Sequence, residues 1–162
     1  MPVQQHCVID IEASGFGRHS YPIEVGFVRS DGHAWCSLVL PQADWQHWDS
    51  AAEQVHCIPR KLLLQHGRPA LEVAQRLNAD LAGCTAYCDG WAHDYTWLAK
   101  LFDAADLSPR FHLEAVQALL SETHLAQLDL LQRQAFAVLG ITRHRASGDA
   151  RALQWALGQL VI

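Results

Sequence analysis

The sequence predicts an α/β fold, a mixed sheet of three antiparallel strands followed by parallel strands, covered by helices. Three observations predict it. The first third holds short β-branched runs separated by Gly- and Asp-bearing breaks. From Asp44 onward, apolar residues recur at the three- and four-residue steps of helices. Short strand-like runs then alternate with those helices, the pattern that gives parallel crossovers. With 162 residues, half of them apolar, the chain suits one domain over residues 1–162 with a proper core.

Cys7-Val8-Ile9-Asp10-Ile11-Glu12 is the first strand, ended by the Gly-rich break Ala13 to Gly17. Ile23 to Arg29 and His33 to Leu40 follow, joined at Ser30-Asp31-Gly32, an Asp-Gly hairpin signal. Trp45 and Trp48 sit in the next polar loop, where indoles pack over a core edge or stack on bases. A short helix is expected over Ala51 to His56. Another runs from Pro59 to before Gly67, and Pro69 opens a third reaching Leu81. Thr85 to Cys88 reads as a buried strand, His93 to Ala105 as a helix and Phe111 to Leu113 as a last strand. His124 to Leu139 is a helix closed by Gly140, and Ala146 to the C-terminus is the final one.

Side chains alternate along a strand, so Asp10 and Glu12 share a face while Cys7, Ile9 and Ile11 point the other way. Two carboxylates side by side repel unless a cation lies between them, and a hard divalent metal suits oxygen ligands. Taken alone, the pair fits a solvated strand end at least as well. Two further acids stand in unusual places. Asp94 heads the apolar stripe Trp97, Leu98, Leu101 and Phe102, and Asp149 heads Ala152, Leu153, Ala156, Leu157 and Leu160. A first-turn Asp is also favoured by the helix dipole. His144, five residues before Asp149 at a loop-to-helix junction, is a candidate general base. Arg143 and Arg145 beside it can meet phosphate or simply face solvent.

The net charge of −5 argues against a generic nucleic-acid binder. Four metal-ligating carboxylates would account for most of it, and bound metal cancels their field. The five cysteines give no disulfide framework and read as reduced thiols of a cytoplasmic protein; Cys84, Cys88 and His93 fall short of a zinc site. No run approaches membrane-spanning length, and the first residues lack a secretory pattern.

Together these pieces resemble the DEDDh-type 3′–5′ exonuclease superfamily. Its Asp-x-Glu first motif matches Asp10-Ile11-Glu12, its second-motif Asp matches Asp94, and its His-x4-Asp third motif matches His144 to Asp149. Ser14-Gly15-Phe16 followed by Tyr21-Pro22-Ile23-Glu24-Val25-Gly26 is similar to the family's first hairpin. Val55-His56-Cys57-Ile58 is similar to its substrate-lining turn. The second motif departs from the pattern: Cys88-Asp89-Gly90-Trp91-Ala92-His93-Asp94 lacks the usual His-Asn, and Asp89 is a rival ligand.

The resemblance implies a ribonuclease-H-like fold with five strands and flanking helices. It implies that Asp10, Glu12, Asp94 and Asp149 hold two divalent ions, Mg²⁺ or Mn²⁺, with His144 and Glu12 as catalytic residues. Ala13, Ser14, Phe16 and Ile58 would cradle the terminal nucleotide. The expected activity is release of 5′-mononucleotides from the 3′ end of DNA or RNA, and the resemblance admits a homodimer. Two other readings remain open: a catalytically silent nucleic-acid or protein binding module on the same fold, and a metal-dependent hydrolase of short nucleotides.

Overall fold

The computed structural model describes residues 5–160. Strands β1 (Cys7–Ala13), β2 (Pro22–Val28) and β3 (Ala34–Leu38) form the antiparallel part of the sheet. Helices α1 (Ser50–His56), α2 (Arg60–His66) and α3 (Ala70–Leu81) follow. Next come β4 (Thr85–Cys88), α4 (Trp91–Ala105) and β5 (His112–Ala115). A 3-10 turn (Val116–Leu119), α5 (Glu122–Leu139) and α6 (Ala146–Gln159) complete the chain. The sheet order is β3-β2-β1-β4-β5, with β1, β4 and β5 parallel. The predicted mixed α/β sheet is borne out.

The alternation expected for β1 organises both layers. Cys7, Ile9 and Ile11 enter the larger core with Ile23, Val25 and Phe27 of β2, Val73 and Leu77 of α3, and Leu98 and Leu101 of α4. Val8 and Val28, on the other face, pack with Leu128 of α5 and Leu153, Ala156 and Leu157 of α6. Two core layers thus clamp β1, and its C-terminal end delivers Asp10 and Glu12 to the margin of the α6 side.

Several boundaries differ from expectation for local reasons. α4 starts at Trp91 rather than His93, directly after Gly90. α5 starts at Glu122 rather than His124 because the Ser121 hydroxyl accepts the His124 N–H at 3.3 Å. β2 takes in Pro22, where the ladder to β1 shifts register, as a residue without an N–H allows. The 3-10 turn was not foreseen; it buries Val116 in the α5–α6 core. The end of the final helix expected at residues 161 and 162 lies outside the described residues.

α6 lies unusually close to β2. A Cβ on Gly26 would sit 2.6 Å from the Ser147 nitrogen and 2.7 Å from the Ala146 carbonyl carbon. Those are backbone atoms, so the helix itself must move. Gly26→Ala is expected to cost about 1–3 kcal/mol, the usual range for overpacking, read as a lower urea midpoint at unchanged slope.

Candidate metal centre and nucleotide cleft

Asp10 and Glu12 leave β1 on one face, opposite Gly26 and Glu24 of β2 respectively. The first turn of α6 brings Asp149 onto the same spot. One carboxylate oxygen from each of Asp10, Glu12 and Asp149 lies within 4.8 Å of the others. Three converging oxygens suit a hard divalent cation. Asp10 supplies a further sign: its Oδ2 is buried with no hydrogen-bond partner. A lone carboxylate oxygen withdrawn from water is costly unless a cation meets it.

The protonation tendencies agree. Burial, then the charges of Asp94, Glu12 and Asp149, push the Asp10 carboxyl well above the usual carboxylate range. Burial and neighbouring Asp149 push Glu12 up to about 8. Burial also raises Asp149, opposed by the His144 backbone N–H. Without a cation these groups cannot all ionise at neutral pH; with one they can. The residues present therefore fit a divalent metal.

Asp94 stands apart from that three-oxygen group. It is buried at the head of α4, close enough for its charge to be the second cause of the Asp10 shift. Its own carboxyl rises to about 7 through burial, against hydrogen bonds from Cys88 and the Gly90 backbone. Asp89 is exposed at the end of β4, and Gln132 donates to its Oδ2 at 3.4 Å. It shares a cavity of about 150 Å³ with Asp10, Asp149, Asp129 and Arg143. The charge of Asp94 is among the causes of the Asp10 shift, whereas Asp89 shares a cavity with Asp10.

His144 is exposed and has a left-handed backbone, with φ 60°. A non-glycine residue holds that conformation at a cost unless something fixes it. Here its N–H donates to both Asp149 oxygens, at 3.0 and 3.2 Å. Asp149 thus also sets the backbone of His144. Arg145 does not stand free for phosphate. Its guanidinium donates to buried Glu24, with Nη2 to Oε2 at 2.6 Å. Arg143 keeps its charge at the cavity wall, over the Phe136 ring.

A mostly apolar cleft of about 240 Å³ adjoins this centre. Glu12, Ala13, Phe16, Val55, His56, Trp97 and His144 contribute to its walls. Phe16 is 68% exposed, a large apolar surface left open; its ring meets His93 edge-on at 5.0 Å. Ala13 is buried and lends only a wall. Ser14 is fully buried, its hydroxyl held between the His47 ring and the Tyr21 N–H, so it braces the loop and presents no free side chain. Ile58 is buried and does not line the cleft; Val55 and His56, one turn earlier, do.

No family model matches the sequence, and no curated protein matches it by sequence. Solved structures do match it in three dimensions. Exonuclease I from Methylocaldum szegediense superposes with a TM-score of 0.67 at 14% identity, over 91% of this chain and 38% of that one. E. coli exonuclease I, solved with a dA16 oligonucleotide, gives 0.67 at 12% identity, over 93% and 39%. The Mopeia virus exonuclease domain, partially complexed with manganese, gives 0.55 at 16% identity, over 97% and 78%. The chain shares the fold of these domains.

The chain spans about two fifths of the exonuclease I chains it matches. Within it, β1 and α6 meet where the three carboxylates converge. Glu24 is the site residue that sequence reasoning missed. An acid two residues before Gly26, on the same strand face, was the available signal. Among the described residues no helix is long and apolar enough to cross a membrane, and all five cysteines are free.

Proposed function

We propose that the chain is a divalent-metal-dependent 3′–5′ exonuclease acting on DNA or RNA ends. The observation that carries this reading is the convergence of Asp10, Glu12 and Asp149 within 4.8 Å, beside His144 and an open apolar cleft. Asp10, Glu12 and Asp149, with Asp94 behind Asp10, would hold Mg²⁺ or Mn²⁺. When bound, such ions neutralise phosphate charge and acidify water.

The chain's own residues do the rest. Phe16, Val55 and Trp97 offer the terminal nucleoside an apolar seat. The left-handed turn holds the His144 imidazole at the mouth of that seat, where it takes the proton of the attacking water. The water oxygen bonds to phosphorus as the bond to the preceding nucleotide's 3′ oxygen breaks, and that oxygen takes up a proton from solvent. A 5′-mononucleotide leaves and the chain is one residue shorter. The fold shared with the exonuclease structures and the acidic centre support the reading.

The test uses 5′-labelled DNA and RNA oligomers of matched sequence. A ladder shortening from the 3′ end, present with Mg²⁺ or Mn²⁺ and absent in chelator, is expected for at least one of them. No shortening of either polymer, at any length down to dinucleotides, sinks the proposal. The same assay separates the two candidate second-motif acids. Asp94→Asn is expected to remove most activity, and Asp89→Asn to leave most of it. The reverse order makes Asp89 the functional acid.

A further inference from the structure

Glu24 is the one ionisable side chain in β2, and it is 2% exposed. It sits directly opposite Glu12 in the antiparallel ladder, so both carboxylates face the same way. Like charges in that position repel. Arg145 answers the repulsion. Its Nε donates to both Glu24 oxygens at 3.1 Å, and its Nη2 to one of them at 2.6 Å. The Ala146 backbone N–H, at the first residue of α6, donates to the other oxygen at 2.7 Å. Gly26, two residues along, lets the helix backbone come this close.

The place of this clamp matters more than its strength. Arg145 lies between His144 and Asp149 in sequence. The far part of α6 is already held by Ala150, Leu153, Ala156 and Leu157 in the core. A buried ion pair seldom stabilises a fold more than apolar residues of the same size would. What it supplies is a fixed geometry, since a bidentate guanidinium–carboxylate pair tolerates little movement.

The geometry points to Glu24 and Arg145 as positioning residues: the pair seats the start of α6 on β2 and thereby sets His144 and Asp149 against Glu12. Its kinetic consequence rests on the nuclease reading above; its consequence for metal affinity does not. Arg145, so engaged, is not a substrate contact.

The decisive variant is the double replacement Glu24→Leu with Arg145→Met, which fills the space without charge. It is expected to melt near the wild-type temperature. Its kcat on an oligonucleotide falls about 10²-fold, the cost of a misplacement near 1 Å, while KM stays near wild type. Mn²⁺ affinity by calorimetry falls about tenfold or more, as for other groups that orient ligands from behind. Arg145→Lys, which keeps charge without the fork, recovers part of both losses and serves if the double variant does not fold. A folded double variant with wild-type kcat and Mn²⁺ affinity overturns the inference. So does a raised KM at wild-type kcat, which would make Arg145 a phosphate contact. If the wild type cuts nothing, the nuclease reading fails, and the Mn²⁺ affinities alone decide the clamp.

Discussion

Asp10→Asn is expected to be more stable than the wild type in chelator and to gain nothing from Mg²⁺ or Mn²⁺. The wild-type carboxyl is buried, crowded by Asp94, Glu12 and Asp149, and has an Oδ2 with no partner. A neutral isostere removes the repulsion and the affinity together. For the wild type, a metal at a hundredfold excess over its Kd adds about 2.7 kcal/mol. At about 2–4 °C per kcal/mol for a domain of this size, that is a rise of roughly 5–10 °C. The sign with pH also follows. Asp10, Glu12, Asp94 and Asp149 are all raised in the folded chain, so the folded state holds more protons than the unfolded one. Stability in chelator therefore falls as pH rises from the ordinary carboxylate range, about 4, through the raised values, about 8 for Glu12. Added metal flattens that fall. Thermal melts across pH, with and without Mn²⁺, check both; a wild-type melt indifferent to metal at every pH removes the centre.

His144→Ala is expected to lower kcat by about 10²–10⁴-fold, the usual contribution of a general base. Metal affinity stays, because the His144 contact to Asp149 is made by its backbone N–H, which alanine keeps. KM changes little, since the imidazole acts chiefly in the transition state. The left-handed turn adds a complication that a second variant resolves. Alanine holds φ near 60° less readily than histidine, whereas glycine holds it freely. His144→Gly should lose activity as His144→Ala does while melting no lower. Near wild-type turnover in either variant makes the histidine a structural turn residue and removes it from the chemistry.

Much of the fold was legible in the chain because its signals are local. Alternation in Cys7 to Glu12 gave the faces of β1, and the stripes after Asp94 and Asp149 gave the buried sides of α4 and α6. Boundaries slipped where a neighbouring residue took over, as the Ser121 cap did for α5. The candidate site was legible as far as single strands and helices present it. What sequence could not convey was register across strands. Glu24 opposite Glu12 is a relation between two β-strands, and the seat of Arg145 on Glu24 joins the second strand to the last helix. Without that pairing, Arg145 read as a free cation. The Ser14 contact is of the same kind: its partner His47 lies a loop away, and nothing nearby in sequence announces it.

The three converging carboxylates come from the first strand and the last helix. Non-local contacts of this kind close late, after the chain entropy between them has been given up. A ribosome-bound chain exposes Asp10 and Glu12 long before Asp149 emerges. Until the final helix docks, there is no three-sided cage for an ion and no turn to present His144. The order of synthesis thus leaves the three carboxylates apart until α6 docks, and the proposed metal centre comes into being only with that packing.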